Sequence, residues 1–357
     1  MKTKREKTEG LGYFNLARGL GLFFIVLGHS MNPLLTRSDT VTIFQGAGMV
    51  LGGGIMAAFF MISGFGFFKR SPKKCFAIQK KMLLKPYGIT ACSIVMTKLV
   101  LAILEQRSFR ENGGELIPTY LLGLNAEGGA VIRGIPVESV SIFWFILALF
   151  GAWNLYNTIA RLKSEKKQMA LVIGCTAAGY FLTKLSKIWP FCLPMALIAV
   201  GYLAAGERIR KHGLLRKKLS PVQWLILILP ILVSSAFGYI NIVACEWRLG
   251  PLDVLSTFCM GYLLLRFYAH AMEWGRRGKI TAVLEEIGFH SIWVVSLHAY
   301  EKYIFPWHHL YRIFSDYPAL AVLFCFCGRC LVMYFLYRMV RNVTKRQKRK
   351  KKRCVIE

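Results

Sequence analysis

The sequence predicts an all-α integral membrane protein, a polytopic bundle of about ten transmembrane helices with both termini cytoplasmic. Three observations carry this. The 357 residues are 55% apolar, with mean hydropathy +0.44, yet hold a formal charge of +29. The basic residues concentrate between long apolar runs instead of forming a stripe on a soluble surface. The runs themselves are long enough to cross a hydrocarbon core of about 30 Å. A soluble nucleic-acid-binding module of this charge would be far more polar, so no nucleic-acid partner is expected.

The chain opens on a basic tail, residues 1–12. The apolar run behind it lacks a small-residue cleavage site and reads as a signal anchor that stays. Apolar runs follow at 13–31, 46–68, 86–104, 141–160, 169–186, 190–206, 222–241, 252–268, 288–305 and 318–340. The fifth and sixth are parted only by a tight turn, Lys187–Pro190. The stretch 105–140 reads as a long loop, with a short apolar piece at Leu116–Leu124 that cannot span and suits a re-entrant segment. Residues 341–357 form a polybasic tail.

Orientation follows from Lys and Arg. The segments between runs 2 and 3 (Lys69, Arg70, Lys73, Lys74, Lys80, Lys81, Lys85), 4 and 5 (Arg161, Lys163, Lys166, Lys167), 6 and 7 (Arg208, Arg210, Lys211, Arg216, Lys217, Lys218) and 8 and 9 (Arg266, Arg276, Arg277, Lys279) are basic, as are both tails. The opposite loops are nearly free of Lys and Arg. Both termini then lie in the cytoplasm, which requires an even number of spans. A multi-pass protein of the cell membrane is expected, with one body at 13–340, no extramembrane domain and no internal repeat of the kind many transporters show.

Function is concentrated in the first run. Asn15–Ser30, NLARGLGLFFIVLGHS, keeps two ionisable groups, Arg18 and His29. Eleven positions on a helix return to within about 20° of the same face and rise about 16 Å. One face thus carries a cation at the cytoplasmic boundary and an imidazole about three turns deeper. Ionisable groups inside a bilayer are costly and mark functional sites. The plainer alternative is that the two residues only mark the two membrane boundaries.

Run 2 holds Gly46, Gly48 and Gly52–Gly54, then AFFMISGFGFFKR. Small residues let a neighbouring helix approach closely; alternatively they leave a slot for an elongated ligand beside the first helix. Lys80, Lys81 and Lys85 follow, either as topology signals or as a phosphate-binding patch at the inner mouth. Among the ten cysteines, Cys92, Cys175, Cys192 and Cys259 read as small apolar fillers. Cys325-x-Cys327-x-x-Cys330 has metal-like spacing but falls in an apolar run without a nearby His, so no metal is expected. Cys354–Glu357 ends in a poor residue for a lipidation box and reads as tail. His212 and His270 fall in cytoplasmic loops, and His308-His309 in an outer loop. Lys98 lies where it can snorkel. Arg329, near mid-span, faces the bundle toward a partner the sequence does not name.

In combination these stretches resemble the membrane acyltransferase-3 family over about 13–340. The resemblance rests on Arg18…His29 within ARGLGLFFIVLGHS, on Phe59-Phe60-Met-Ile-Ser63-Gly64-Phe65 with the basic loop after it, on Trp144-Phe145, and on Gly288-Phe-His-Ser291…Leu297-His298. The chain departs from the family pattern at Asn15, where an acidic residue is common, and in carrying lysines where the inner loop often has arginines. It reads as the short form, similar to members assigned to sugar O-acetylation such as fucose acetylases.

The resemblance implies no bound cofactor, acyl-CoA (acetyl-CoA first) as co-substrate, and a hydroxyl acceptor on a surface carbohydrate or glycolipid. His29 would be the general base and Arg18 would orient the donor. Ser63, Gly64, Lys80, Lys81 and Lys85 would line the donor path. Trp144 would be an aromatic platform or an interface anchor. His298 would position the acceptor or simply be a satisfied bundle histidine. The competing class is a transporter or flippase for a lipid-linked or charged solute, with Arg18 and His29 lining its pathway. Oligomeric state is open.

Overall fold

The computed structural model describes residues 14–35, 43–108, 114–124, 130–132, 134–137, 139–186, 188–274 and 278–353. The tail at 1–12, Lys187, Arg276, Arg277 and Cys354–Glu357 lie outside the described residues. Among the described residues the α-helices run α1 (Asn15–Leu35), α2 (Ile43–Phe65), α3 (Pro72–Gln79), α4 (Lys85–Leu104), α5 (Leu116–Leu122), α6 (Trp144–Ile159), α7 (Glu165–Leu185), α8 (Leu193–Lys211), α9 (Pro221–Phe237), α10 (Pro251–Trp274), α11 (Lys279–Phe289), α12 (Ser291–Ile304), α13 (His308–Ile313) and α14 (Pro318–Arg353). A π-turn, Lys80–Leu84, joins α3 to α4.

The architecture is that of an all-α polytopic membrane protein. Among the described residues, seven helical stretches are long and apolar enough to cross a bilayer: α2, α3 with α4, α6, α7, α8, α10 and α14. The pair α11–α12, bent by 82°, makes an eighth if it acts as one span. α9, at 17 residues, is a shorter apolar helix, and α1 is not among the seven.

Helix boundaries follow local chemistry. Ser164 caps α7 by accepting from the Lys167 amide. Ser220 and Gln223 form a reciprocal capping box at α9, with Pro221 in the first turn. Gly123, at φ 59°, ends α5 in the left-handed region that disfavours a Cβ. The α7–α8 turn is closed by Trp189, whose indole N–H reaches the Leu182 carbonyl at 2.9 Å.

α2 is the central rod, and its glycines answer the choice left by the sequence. A Cβ at Gly64 would meet the Leu203 carbonyl of α8, and one at Gly206 would meet the Met61 carbonyl of α2. Gly53 and Gly54 face Thr257 and Met260 of α10, and Gly46 faces the Ser235 carbonyl of α9. These residues seat neighbouring helices. Only Gly48 and Gly52 of that set face open space. Around the rod, Phe60 stacks on Tyr202 at 5.9 Å and lies against Phe145 at 4.8 Å, in a core with little free volume.

The basic loops gather at one end. The Arg70 amide donates to Asn157 Oδ1 at 3.0 Å, and Arg210 Nη2 donates to the Phe67 carbonyl at 2.7 Å. Arg266 Nη1 holds the Leu214 carbonyl, also at 2.7 Å. Glu207, buried among these cations, accepts from the Tyr156 hydroxyl and pairs with Lys211 at 3.1 Å. Phe14 meets Phe65 edge-on at the same end, so the start of α1 sits over the end of α2.

Five expectations need correction. The run 288–305 is not one straight span: the chain turns at His290, so α12 is a 14-residue helix set at 82° to α11. The approach of Gly288 to the Asn15 carbonyl holds that turn against α1. The stretch 105–140 is not a plain loop, since it contains α5 and the antiparallel hairpin Ala130–Ile132 with Ile135–Val137. His270 lies within α10, its ring 2.8 Å from the Arg266 carbonyl. Cys92 is exposed on α4, whereas Cys192 and Cys259 are buried. The last apolar run also continues as helix to Arg353.

Candidate active site

Helix periodicity on α1 sets which groups turn inward. Leu22 and Val26 are buried, while Phe23, Phe24, Gly28 and Met31 are exposed. At about 100° per residue, Arg18 and His29 fall beside Leu22, away from the exposed side. Both are half-buried. Arg18 Nη1 donates to Asn15 Oδ1 at 3.2 Å, so Asn15 supplies a neutral partner. α1 keeps its place because a Cβ at Gly19 would collide with the Leu284 carbonyl of α11.

At the far end of α1 the His29 ring faces the His298 ring of α12, centroids 5.3 Å apart and planes tilted by 50°. Two residues 269 positions apart in the chain are thus brought together, 298 less 29 in the numbering. His298 is 1% exposed. Its Nδ1 lies 2.6 Å from Glu301 Oε1, one helical turn on, and Glu301 is fully buried. Arg329 Nη1 of α14 donates to the same oxygen at 3.0 Å. The Trp307 indole N–H donates to the other oxygen, Oε2.

With the carboxylate already accepting from a guanidinium and an indole, the arrangement suits the His298 tautomer that carries its proton on Nδ1. That leaves His298 Nε2, which is buried and has no hydrogen-bond partner among the described residues. A buried polar atom without a partner costs about 1–3 kcal/mol, a cost usually relieved by a ligand, a water or a catalytic role.

The surroundings fix this end of the bundle. Arg329 lies 5.3 Å from the Trp307 ring centre, and its Nε donates to Cys325 Sγ at 3.3 Å. The Tyr311 hydroxyl of α13 donates to the Ser30 carbonyl at 2.5 Å, beside His29. Lys302 Nζ donates to Ser141 Oγ at 2.7 Å, and the Tyr303 hydroxyl to the Ser139 carbonyl at 2.8 Å, joining α12 to the segment before α6. Among the described residues no group of three His, Cys, Asp or Glu side chains is placed to hold a metal.

The remaining expected site residues lie elsewhere. Ser63 donates to the Phe59 carbonyl at 3.1 Å, and Gly64 sits at the α2–α8 contact. Trp144 is 4% exposed, with its ring 6.2 Å from Phe60 in the core, so it presents no open face. Lys80, Lys81 and Lys85 are exposed on the π-turn and the start of α4. Glu301 and Trp307 were not singled out from the sequence. Glu301 is the sole acidic residue of 288–305, three positions after His298. That isolation in an apolar run was the available signal.

A family model described as an acyltransferase domain matches residues 11–341, nearly the whole chain. No curated protein and no solved structure shows a significant match.

Proposed function

This chain belongs to the acyltransferase-3 family and is an acyltransferase, and on that premise we propose that it moves an acyl group, acetyl first, from cytoplasmic acyl-CoA to a hydroxyl of a surface carbohydrate or lipid-linked glycan. His29 acts as general base. The observation that carries this is the apposition of His29 and His298, about three helical turns along α1 from Arg18. We take α1, α9 and the α11–α12 pair as crossing the bilayer with the seven longer stretches, which gives ten spans and both termini in the cytoplasm. The basic end then faces the cytosol, where a polyanionic donor is drawn to it. Arg18 orients that donor, and the exposed Lys80, Lys81 and Lys85 attract its phosphates. The two histidines lie toward the outer leaflet, where the acceptor hydroxyl arrives. A neutral imidazole accepts the hydroxyl proton as the oxygen attacks the thioester carbonyl. His298 stands on the acceptor side; Ser63, Gly64 and Trp144 support the walls between.

The test is mass spectrometry of surface glycans and glycolipids from cells with the gene, without it, and with His29→Ala. Loss of an acetyl, or of a longer acyl, in both altered strains supports the reading. Full acylation with His29→Ala removes the base. An unchanged acyl pattern without the gene, with a lipid-linked glycan accumulating on the inner face, favours the transporter.

A further inference from the structure

Glu301 has no role in the reading above, yet it is the most heavily coordinated side chain at the site. Its two oxygens take His298, Arg329 and Trp307, all inside the bundle. A buried carboxylate carrying three donors has one arrangement open to it, and that arrangement dictates the state of His298. Nδ1 is committed as a donor, the ring cannot flip without abandoning the 2.6 Å bond, and Nε2 is left free. A base oriented by a carboxylate through its other nitrogen is the logic of catalytic triads, where the carboxylate selects the tautomer and stabilises the imidazolium. The neighbouring imidazole is His29, its ring centroid 5.3 Å from that of His298.

We infer that Glu301 is a positioning residue that holds His298 as the proton acceptor for His29, so that the two imidazoles form a relay. This rests on the reading of His29 as general base. In the step, the acceptor hydroxyl oxygen forms a bond to the thioester carbonyl carbon and the carbon–sulfur bond breaks. The hydroxyl proton passes to one ring nitrogen of His29 while the proton on its other nitrogen passes to His298 Nε2. The resulting imidazolium is stabilised by Glu301. Reversal of the same path returns one proton to the departing thiolate, leaving ester, thiol and both imidazoles neutral. Arg329 and Trp307 serve by holding the carboxylate in place and satisfying its oxygens, which a buried carboxylate requires.

The test uses the full chain in proteoliposomes, with acetyl-CoA as donor and surface glycan extracted from cells lacking the gene as acceptor. Glu301→Gln is expected to lower kcat on the order of 10²–10⁴-fold, with KM for acetyl-CoA within about twofold of the parent. A wall residue would instead move KM or yield. His298→Gln leaves the Glu301–Arg329 pair intact and is expected to match that loss; the double variant should be no worse, since the two act as a unit. The dependence of rate on deuterium fraction in the solvent reports how many protons are in flight. It should curve for the parent and become linear in both variants. If Glu301→Gln does not fold, His298→Gln decides alone. Native kcat in either variant, or a linear dependence in the parent, overturns the relay. An inactive His29→Ala beside a fully active His298→Gln sinks the relay and spares the base; an active His29→Ala sinks the base itself.

Discussion

Arg329 and His298 share one acceptor: Nη1 of the first lies 3.0 Å, and Nδ1 of the second 2.6 Å, from the same Glu301 oxygen. The cation the sequence left without a partner is therefore tied to the histidine it left between two roles, positioning the acceptor or filling the bundle. Arg329 is 5% exposed, and removing one partner of a buried pair strands the other charge. Arg329→Ala is expected to cost about 3–5 kcal/mol, read as a lower unfolding midpoint in detergent. Arg329→Met with Glu301→Gln should recover part of this, because no charge is then stranded. A native midpoint for Arg329→Ala would show the pair to be solvated.

The crossing of α2 and α8 gives a second prediction. Gly64 and Gly206 each meet the other helix's main chain, at Leu203 and Met61, which cannot yield as a flexible side chain would. Gly64→Ala and Gly206→Ala are each expected to destabilise by about 1–3 kcal/mol, the usual cost of overpacking. Gly48→Ala and Gly28→Ala, where nothing lies within 4 Å, should stay within about 0.5 kcal/mol of the parent. Thermal unfolding of the four variants checks the contrast. Equal midpoints would mean that α2 and α8 are not in contact there.

These two cases mark what could and could not be read from the chain alone. Hydropathy displays apolar runs directly, so the membrane class and most helices were legible, as was the family through Arg18…His29 and Phe59–Phe65. The bend at His290 was not, because neither proline nor charge signals it; it is set by Gly288 against the Asn15 carbonyl of α1, a contact distant in sequence. His29 and His298 were each visible, but their meeting is a property of the bundle. The contact of Trp144 with Phe60 was not legible, because an aromatic residue next to a loop looks the same whether it faces lipid, ligand or core.

Arg18 provides the third prediction. Its hydrogen-bonded partner is the neutral Asn15, and among the described residues no carboxylate pairs with it, so its charge remains available to a phosphate. Arg18→Ala is expected to raise KM for acetyl-CoA about tenfold, the loss of one charge-assisted hydrogen bond, with kcat changing less. Arg18→Lys should restore part. Unchanged donor kinetics in Arg18→Ala would reject the role.

The fourth concerns orientation, on which the division of labour between the two ends depends. The loop at Arg161–Ser164 is tied to the basic end, since Arg161 Nη1 reaches the Arg70 carbonyl at 3.5 Å. Arg248 belongs to the opposite end, in the segment joining α9 to α10. The proposed topology therefore puts Lys163 in the cytosol and Arg248 outside. With native cysteines replaced, a membrane-impermeant maleimide on intact cells should label Arg248→Cys and leave Lys163→Cys untouched until the membrane is permeabilised. The reverse pattern would put Arg18 and the lysines on the outer side, away from any cytosolic thioester, and the donor would have to reach the histidines from the other end. Labelling of both positions in intact cells would mean that α7, α8 and α9 do not cross as three successive spans, which would remove the even count that holds the two termini on one side.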